Sequence, residues 1–190
     1  MKNIICYLFL LISLTQLLGC KDHSIPKPRG YFRITLPEKS YHKTFAETFN
    51  FSIPDYTTFY RKKAKEKDDF YEVSFPKNGA KIYLSYFDVN NNLPILIEEA
   101  HKWAFKHSIR ADAIEQKEYV NNTNKTYGLV YTIEGNAASP MQFYLTDSTK
   151  HFLRGALYFH NVPNQDSLQP VINFITKDIV ELIETTHWNE

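Results

Sequence analysis

Strand-like segments of this chain are apolar on both sides of their alternation, and that constrains the fold more than anything else in the sequence. In Lys81 to Phe87, Ile82 and Leu84 lie on one side while Tyr83 and Phe87 lie on the other. A sheet of such strands needs cover on both faces. Two helical stripes can supply it. From Pro94, which suits a first helical turn, Leu96, Ala100, Trp103, Ala104 and His107 recur on one helical face, with Glu98 and Lys102 paired on the wet side. The second stripe is Leu168, Val171, Ile172, Ile175, Ile179, Leu182, Ile183 and Thr186, with Ser167 as N-cap. Asn173, Lys177, Asp178, Glu181 and Glu184 are expected opposite it.

The remaining elements read as strands. Phe45 to Ile53 is one; Phe70 to Phe75 is another, with Tyr71, Val73 and Phe75 on a common face. Asn78-Gly79 before Lys81 predicts a hairpin through a type I′ turn. Ala113 to Val120 and Tyr127 to Glu134 flank a turn at Asn121 to Asn124, and Tyr127, Leu129, Tyr131 and Ile133 share a face. Met141 to Thr146 and Phe152 to Phe159 flank a second turn, Asp147-Ser148-Thr149-Lys150. Thirteen tyrosines and fourteen phenylalanines support a strand-rich reading. The order strands, helix, strands, helix, with hairpin-length connections, predicts an α+β domain. Its mostly antiparallel sheet would be covered by two long amphipathic helices, one per face, as an α/β/α sandwich.

The first residues belong to a different regime. Lys2 precedes an apolar run from Ile4 to Leu14, and Leu17-Leu18-Gly19-Cys20 closes it. This is the layout of a secretory signal peptide, and a cysteine directly after the cut resembles a bacterial lipobox. The run is well short of the ~20 residues a membrane span requires. Residues 1–19 are therefore expected to be a lipoprotein signal peptide, with Cys20 lipidated as its palmitate-type membrane anchor. Residues 20–30 form a tether containing Pro26 and Pro28, and residues 31–190 a single α+β domain. Cleavage removes Lys2 and leaves 21 basic and 21 acidic side chains. A balanced chain has no excess charge for nucleic acid, and its membrane attachment rests on lipid. Cys6 leaves with the signal and Cys20 is consumed, so the folded domain holds no thiol for disulfide, metal or nucleophile. Lys21 after the cysteine favours the outer membrane over inner-membrane retention, while the leaflet side stays open.

No catalytic constellation emerges. His101 and His107 are six apart and do not share a helical face, which argues against zinc; His107 is expected on the inner stripe. His151, Arg154 and His160 read as a solvated strand edge. No nucleophile elbow, phosphate loop or dinucleotide fingerprint is present. The expectation is a chain that is not an enzyme and takes no cofactor and no metal. It would act through protein contacts, with Asp147, Ser148, Lys150 and His151 as the candidate interaction surface. That turn is expected to tolerate Asp147→Ala or Lys150→Ala within about ±0.5 kcal/mol. A second reading, from the many tyrosines, is a small-ligand or glycan-binding envelope lipoprotein with an aromatic cleft.

Three segments carry a family resemblance. Pro26-Lys27-Pro28-Arg29-Gly30-Tyr31-Phe32-Arg33-Ile34-Thr35-Leu36-Pro37, then Ser139 to Ser148 with His151 to Phe159, then Pro163 to Leu168 with Pro170, resemble in order the GldD family of Bacteroidetes gliding-motility lipoproteins. The resemblance implies a cell-envelope lipoprotein needed for gliding, contacting other gliding or type IX secretion components. It supplies no catalytic residue. By analogy the architecture resembles the PsbP/Mog1-like fold. Asp147-Ser148-Thr149 is also similar to the O-glycosylation sites of Bacteroidetes envelope proteins, with Ser148 as the acceptor.

Overall fold

A computed structural model describes residues 34–62, 69–106, 108–160 and 165–189. The expected signal peptide, Cys20, the expected tether and His107 lie outside the described residues.

The elements run β1 (Tyr41–Phe45), β2 (Phe49–Pro54), β3 (Thr58–Lys62), β4 (Asp69–Phe75), β5 (Ala80–Asp88), α1 (Leu93–Phe105), β6 (Ala111–Asn121), β7 (Thr126–Gly135), β8 (Met141–Thr146), β9 (His151–Phe159), α2 (Gln165–Glu184) and β10 (His187–Trp188). Seven strands form an antiparallel sheet in the order β3-β4-β5-β9-β8-β7-β6, and β1-β2-β10 form a smaller one. The expected α+β domain with a large antiparallel sheet and two helices is what the chain adopts.

Cover of the two faces is unequal. Along β8, Phe143 and Leu145 join one apolar cluster while Tyr144 joins another, so the two clusters lie on opposite faces. The larger packs Tyr71, Val73 and Phe75 of β4, Ile82, Leu84 and Tyr86 of β5, and Leu153 and Leu157 of β9 beneath α2 and β2. The smaller holds Leu96, Ala100 and Ala104 of α1 against Tyr131, Tyr144 and Phe152. Thus the small sheet shares one face with α2. On the other face the thirteen-residue α1 packs over the β6-β7-β8-β9 side and its cluster takes in β5 at Phe87. Gly155 of β9 faces the Phe143 ring so closely that any Cβ there would collide with it.

Several local expectations are corrected. The strand expected over Phe45 to Ile53 is two strands, β1 and β2, closed by a tight turn in which the Ala46 N–H donates to the Phe49 carbonyl at 2.9 Å. The Asn78-Gly79 hairpin exists, but a 3-10 turn over Pro76–Asn78 makes the reversal and Gly79 alone takes positive φ, 58°. Trp103, expected on the inner stripe, is 46% exposed at the margin of α1. There the Arg154 guanidinium and the Lys106 ammonium lie 5.0 and 4.8 Å from its ring centre. Helix α2 starts at Gln165, so Ser167 lies in its first turn and does not precede it.

Asp178 is the largest reversal. Expected on the wet side of α2, it is 1% exposed. It accepts from the Tyr41 hydroxyl at 2.8 Å and the Tyr56 hydroxyl at 2.7 Å, and it pairs with Lys39. A buried carboxylate persists when its lone pairs are met this fully. The cluster fixes the chain just before β1 onto α2.

Candidate functional site

The Asp147–Lys150 turn joins β8 to β9, and it is built by Asp147. Its Oδ1 accepts the backbone N–H groups of Thr149, Lys150 and His151 at 2.9, 2.8 and 2.9 Å, and its Oδ2 accepts the Thr149 hydroxyl at 2.8 Å. Partial burial alone would push this carboxyl up. The N–H donors of His151, Thr149 and Lys150 outweigh it and hold the group at about 2. Ser148 takes positive φ, 67°, and donates its N–H to Thr146 Oγ1 at 2.9 Å. Its side chain, like that of Lys150, is exposed.

His151 is not on a solvated edge. Strand β9 lies between β5 and β8 in the middle of the large sheet. The imidazole is half-buried, meets the Tyr86 hydroxyl through Nδ1 at 2.7 Å, and stacks on Trp188 with centroids 5.1 Å apart and planes 5° off parallel. Burial lowers its pKa, helped by Lys150 and opposed by Asp147 and Asp88. With Nδ1 engaged by Tyr86 and one face stacked on Trp188, the ring is packed as a wall of the corner. Arg154 faces the other side of the sheet, beside Trp103.

Strand β10 and the β6-β7 turn meet this corner. Together they enclose an open groove of ≈ 450 Å³, lined by Asn124, Lys125, Lys150, His151, His187 and Trp188 among others. The four residues picked from the sequence therefore form one corner with divided tasks. Asp147 and His151 shape it, and Ser148 and Lys150 present it. Sequence reasoning missed Lys125, His187 and Trp188, because a two-residue strand and a hairpin tip give no local sign that they converge. Among the described residues no group of three His, Cys, Asp or Glu side chains is placed to hold a metal ion.

A second feature was also missed. On the face α1 leaves open, register aligns Tyr60, Glu72 and Tyr83 in one row across β3, β4 and β5. Glu72 is fully buried yet charged: it accepts the Tyr60 hydroxyl and pairs with Lys62 at 2.6 Å and Lys81 at 2.7 Å. Burial raises its pKa, but these partners prevail and hold it at about 2. Tyr60, Phe70 and Tyr83 remain 42%, 38% and 37% exposed around it. The placement of Tyr71, Val73 and Phe75 on the inner face already implied that Phe70, Glu72 and Ser74 line the outer one.

No described helix is long and apolar enough to cross a membrane. No curated protein matches the chain. Among solved structures it is similar to cyanobacterial PsbP (CyanoP) from Synechocystis sp. PCC 6803, at 9% identity and a TM-score of 0.47, over 91% of this chain and 99% of that one. The family described as gliding motility lipoprotein GldD matches residues 21–188. Nearly the whole sequence after Cys20 thus carries the pattern of a lipid-anchored envelope protein, and the chain belongs to the GldD gliding motility lipoprotein family.

Proposed function

We propose that this chain is a non-enzymatic component of the gliding motility and type IX secretion apparatus. Acyl chains on Cys20 hold it in the outer membrane, and it acts through protein contacts on a PsbP/Mog1-like α/β/α scaffold. The observation that carries the reading is the corner at residues 147–151. Three backbone hydrogen bonds to one carboxylate fix a turn whose Ser148 and Lys150 side chains point to solvent beside an open groove. Rigid presentation of exposed polar side chains lowers the ordering cost of a protein contact. The test is a photo-crosslinking residue at position 150 in cells. A crosslinked envelope protein is expected, together with loss of gliding at normal abundance in Lys150→Glu. Normal gliding in that variant and no crosslinked product would remove the corner from the reading.

A glycan-binding role has its own support in the open sheet face, where Tyr60, Phe70 and Tyr83 surround Lys62 and Lys81. Exposed aromatic rings offer flat apolar faces for a glycan. Binding of purified envelope polysaccharide that is lost in Tyr83→Ala and kept in Lys150→Glu would favour it. Ser148 is also the site where this reading of the chain places an O-linked sugar. The intact mass of the purified protein should exceed chain plus lipid by saccharide increments, and Ser148→Ala should remove them.

A further inference from the structure

Strand β6 ends the large sheet, and no described strand pairs with its outer side. Sheet edges are usually kept short, bulged, charged or proline-bearing to prevent pairing, but the charges of β6 are of both signs and can pair with those of a second copy. β6 has eleven residues and no proline, and its only irregularity lies between Ala111 and Ala113. From there to Asn121 it offers an unbroken row of main-chain donors and acceptors. Glu115, Gln116, Lys117 and Glu118 are all exposed. The side chains of Glu115, Gln116 and Lys117 make no hydrogen bond or ion pair with another described residue.

We infer that β6 joins β6 of a second copy of this chain, antiparallel, about a two-fold axis that passes through Gln116 perpendicular to the sheet. Such an axis keeps like faces on like sides, so residues of one parity meet only each other. Glu115 of each copy then lies opposite Lys117 of the other, giving two cross-strand ion pairs on the α2 side. The two Gln116 amides face one another, with Ile114 opposite Glu118, on the α1 side.

Charge selects this register. Moving the axis to Glu115 sets Glu115 against itself and Glu118 against Asp112. An axis at Lys117 or Glu118 likewise sets that residue against its own copy, and like charges directly opposite are destabilising. Space is available as well. A groove of ≈ 380 Å³ between β6-β7 and α2, floored by Tyr119, Val130 and Val180, opens along this edge. The alternative occupant, an extended segment of another protein, would use the same main-chain groups but has no reason to prefer a register centred on Gln116.

The test uses full-length protein in its own envelope membranes. Cys6 and Cys20 are the only native cysteines, so a single new one reports register. Gln116→Cys should form a reducible dimer on mild oxidation, because facing Cβ atoms on the axis are within disulfide reach. Glu118→Cys, set opposite Ile114, should remain monomeric. Adding Glu115→Lys to the Gln116→Cys chain should cut the dimer about tenfold, and adding Lys117→Glu as well should restore it. All these positions are exposed, so abundance should not change. Absence of the Gln116→Cys dimer overturns the inference. So does equal dimer from Glu118→Cys, insensitivity to Glu115→Lys, or a disulfide to a different protein in place of the dimer.

Discussion

Asp147 carries more of its corner than any neighbour, because one carboxylate satisfies three backbone N–H groups and a hydroxyl. The sequence suggested a tolerant surface turn; the geometry makes Asp147 its keystone. Asp147→Ala should therefore cost about 1–2 kcal/mol, the range for side-chain caps on backbone donors, in chemical denaturation. Asp147→Asn, which keeps one acceptor oxygen, should cost less, and Lys150→Ala should stay within about ±0.5 kcal/mol. Equal stability of all three would contradict the hydrogen bonds described. Acid should expose the same carboxylates. Glu72 and Asp147 both titrate near 2 in the folded chain, against ordinary values of 4.5 and 3.8. The folded state therefore binds fewer protons than the unfolded one in this range, and stability falls as pH drops from about 4.5 toward 2. Melting temperatures measured across that window should decline, and Glu72→Gln with Asp147→Asn should flatten the decline from a lower starting stability.

Among elements, α2 was the most legible. Its stripe places Val171, Ile175, Ile179, Leu182 and Ile183 in the core as the spacing predicts. Ile175 and Ile179 are fully buried, so Ile179→Ala should cost about 2–5 kcal/mol, and abundance in cells should fall with it. Normal stability would mean the helix does not pack as described. Asp178 shows where pattern reading fell short. It lies three residues after Ile175 and four before Leu182, which is the core spacing, yet its charge assigned it to water. The edges of the sheet were least legible. β3 exposes most of its five residues, so alternation is nearly silent there. The β1-β2 reversal at Ala46-Glu47-Thr48 uses no glycine or proline. His151 was misplaced because the β5-β9 pairing that centres it joins residues far apart in sequence.

For the whole molecule, the sequence revealed class and order but not the distribution of cover. A 3.6-residue period identifies a helix face without saying how much sheet that helix spans. α1 ends at Phe105, and Tyr60, Lys62, Phe70 and Tyr83 of β3, β4 and β5 remain exposed beside it. At this scale the governing prediction is attachment. Cys20→Ala should abolish incorporation of labelled palmitate and release the protein from the outer-membrane fraction. Equal labelling of wild type and variant would refute lipidation at Cys20.

The Asp178 cluster also sets a timetable. Lys39 and Tyr41 depend on a carboxylate 139 and 137 positions further along the chain, and Trp188 of β10 must arrive before its stack on His151 can form. A polypeptide exported amino end first cannot complete such long-range contacts until its final helix has crossed. In an export of that kind, the clasp that fastens the start of the domain to its end would postpone closure until the final helix has crossed.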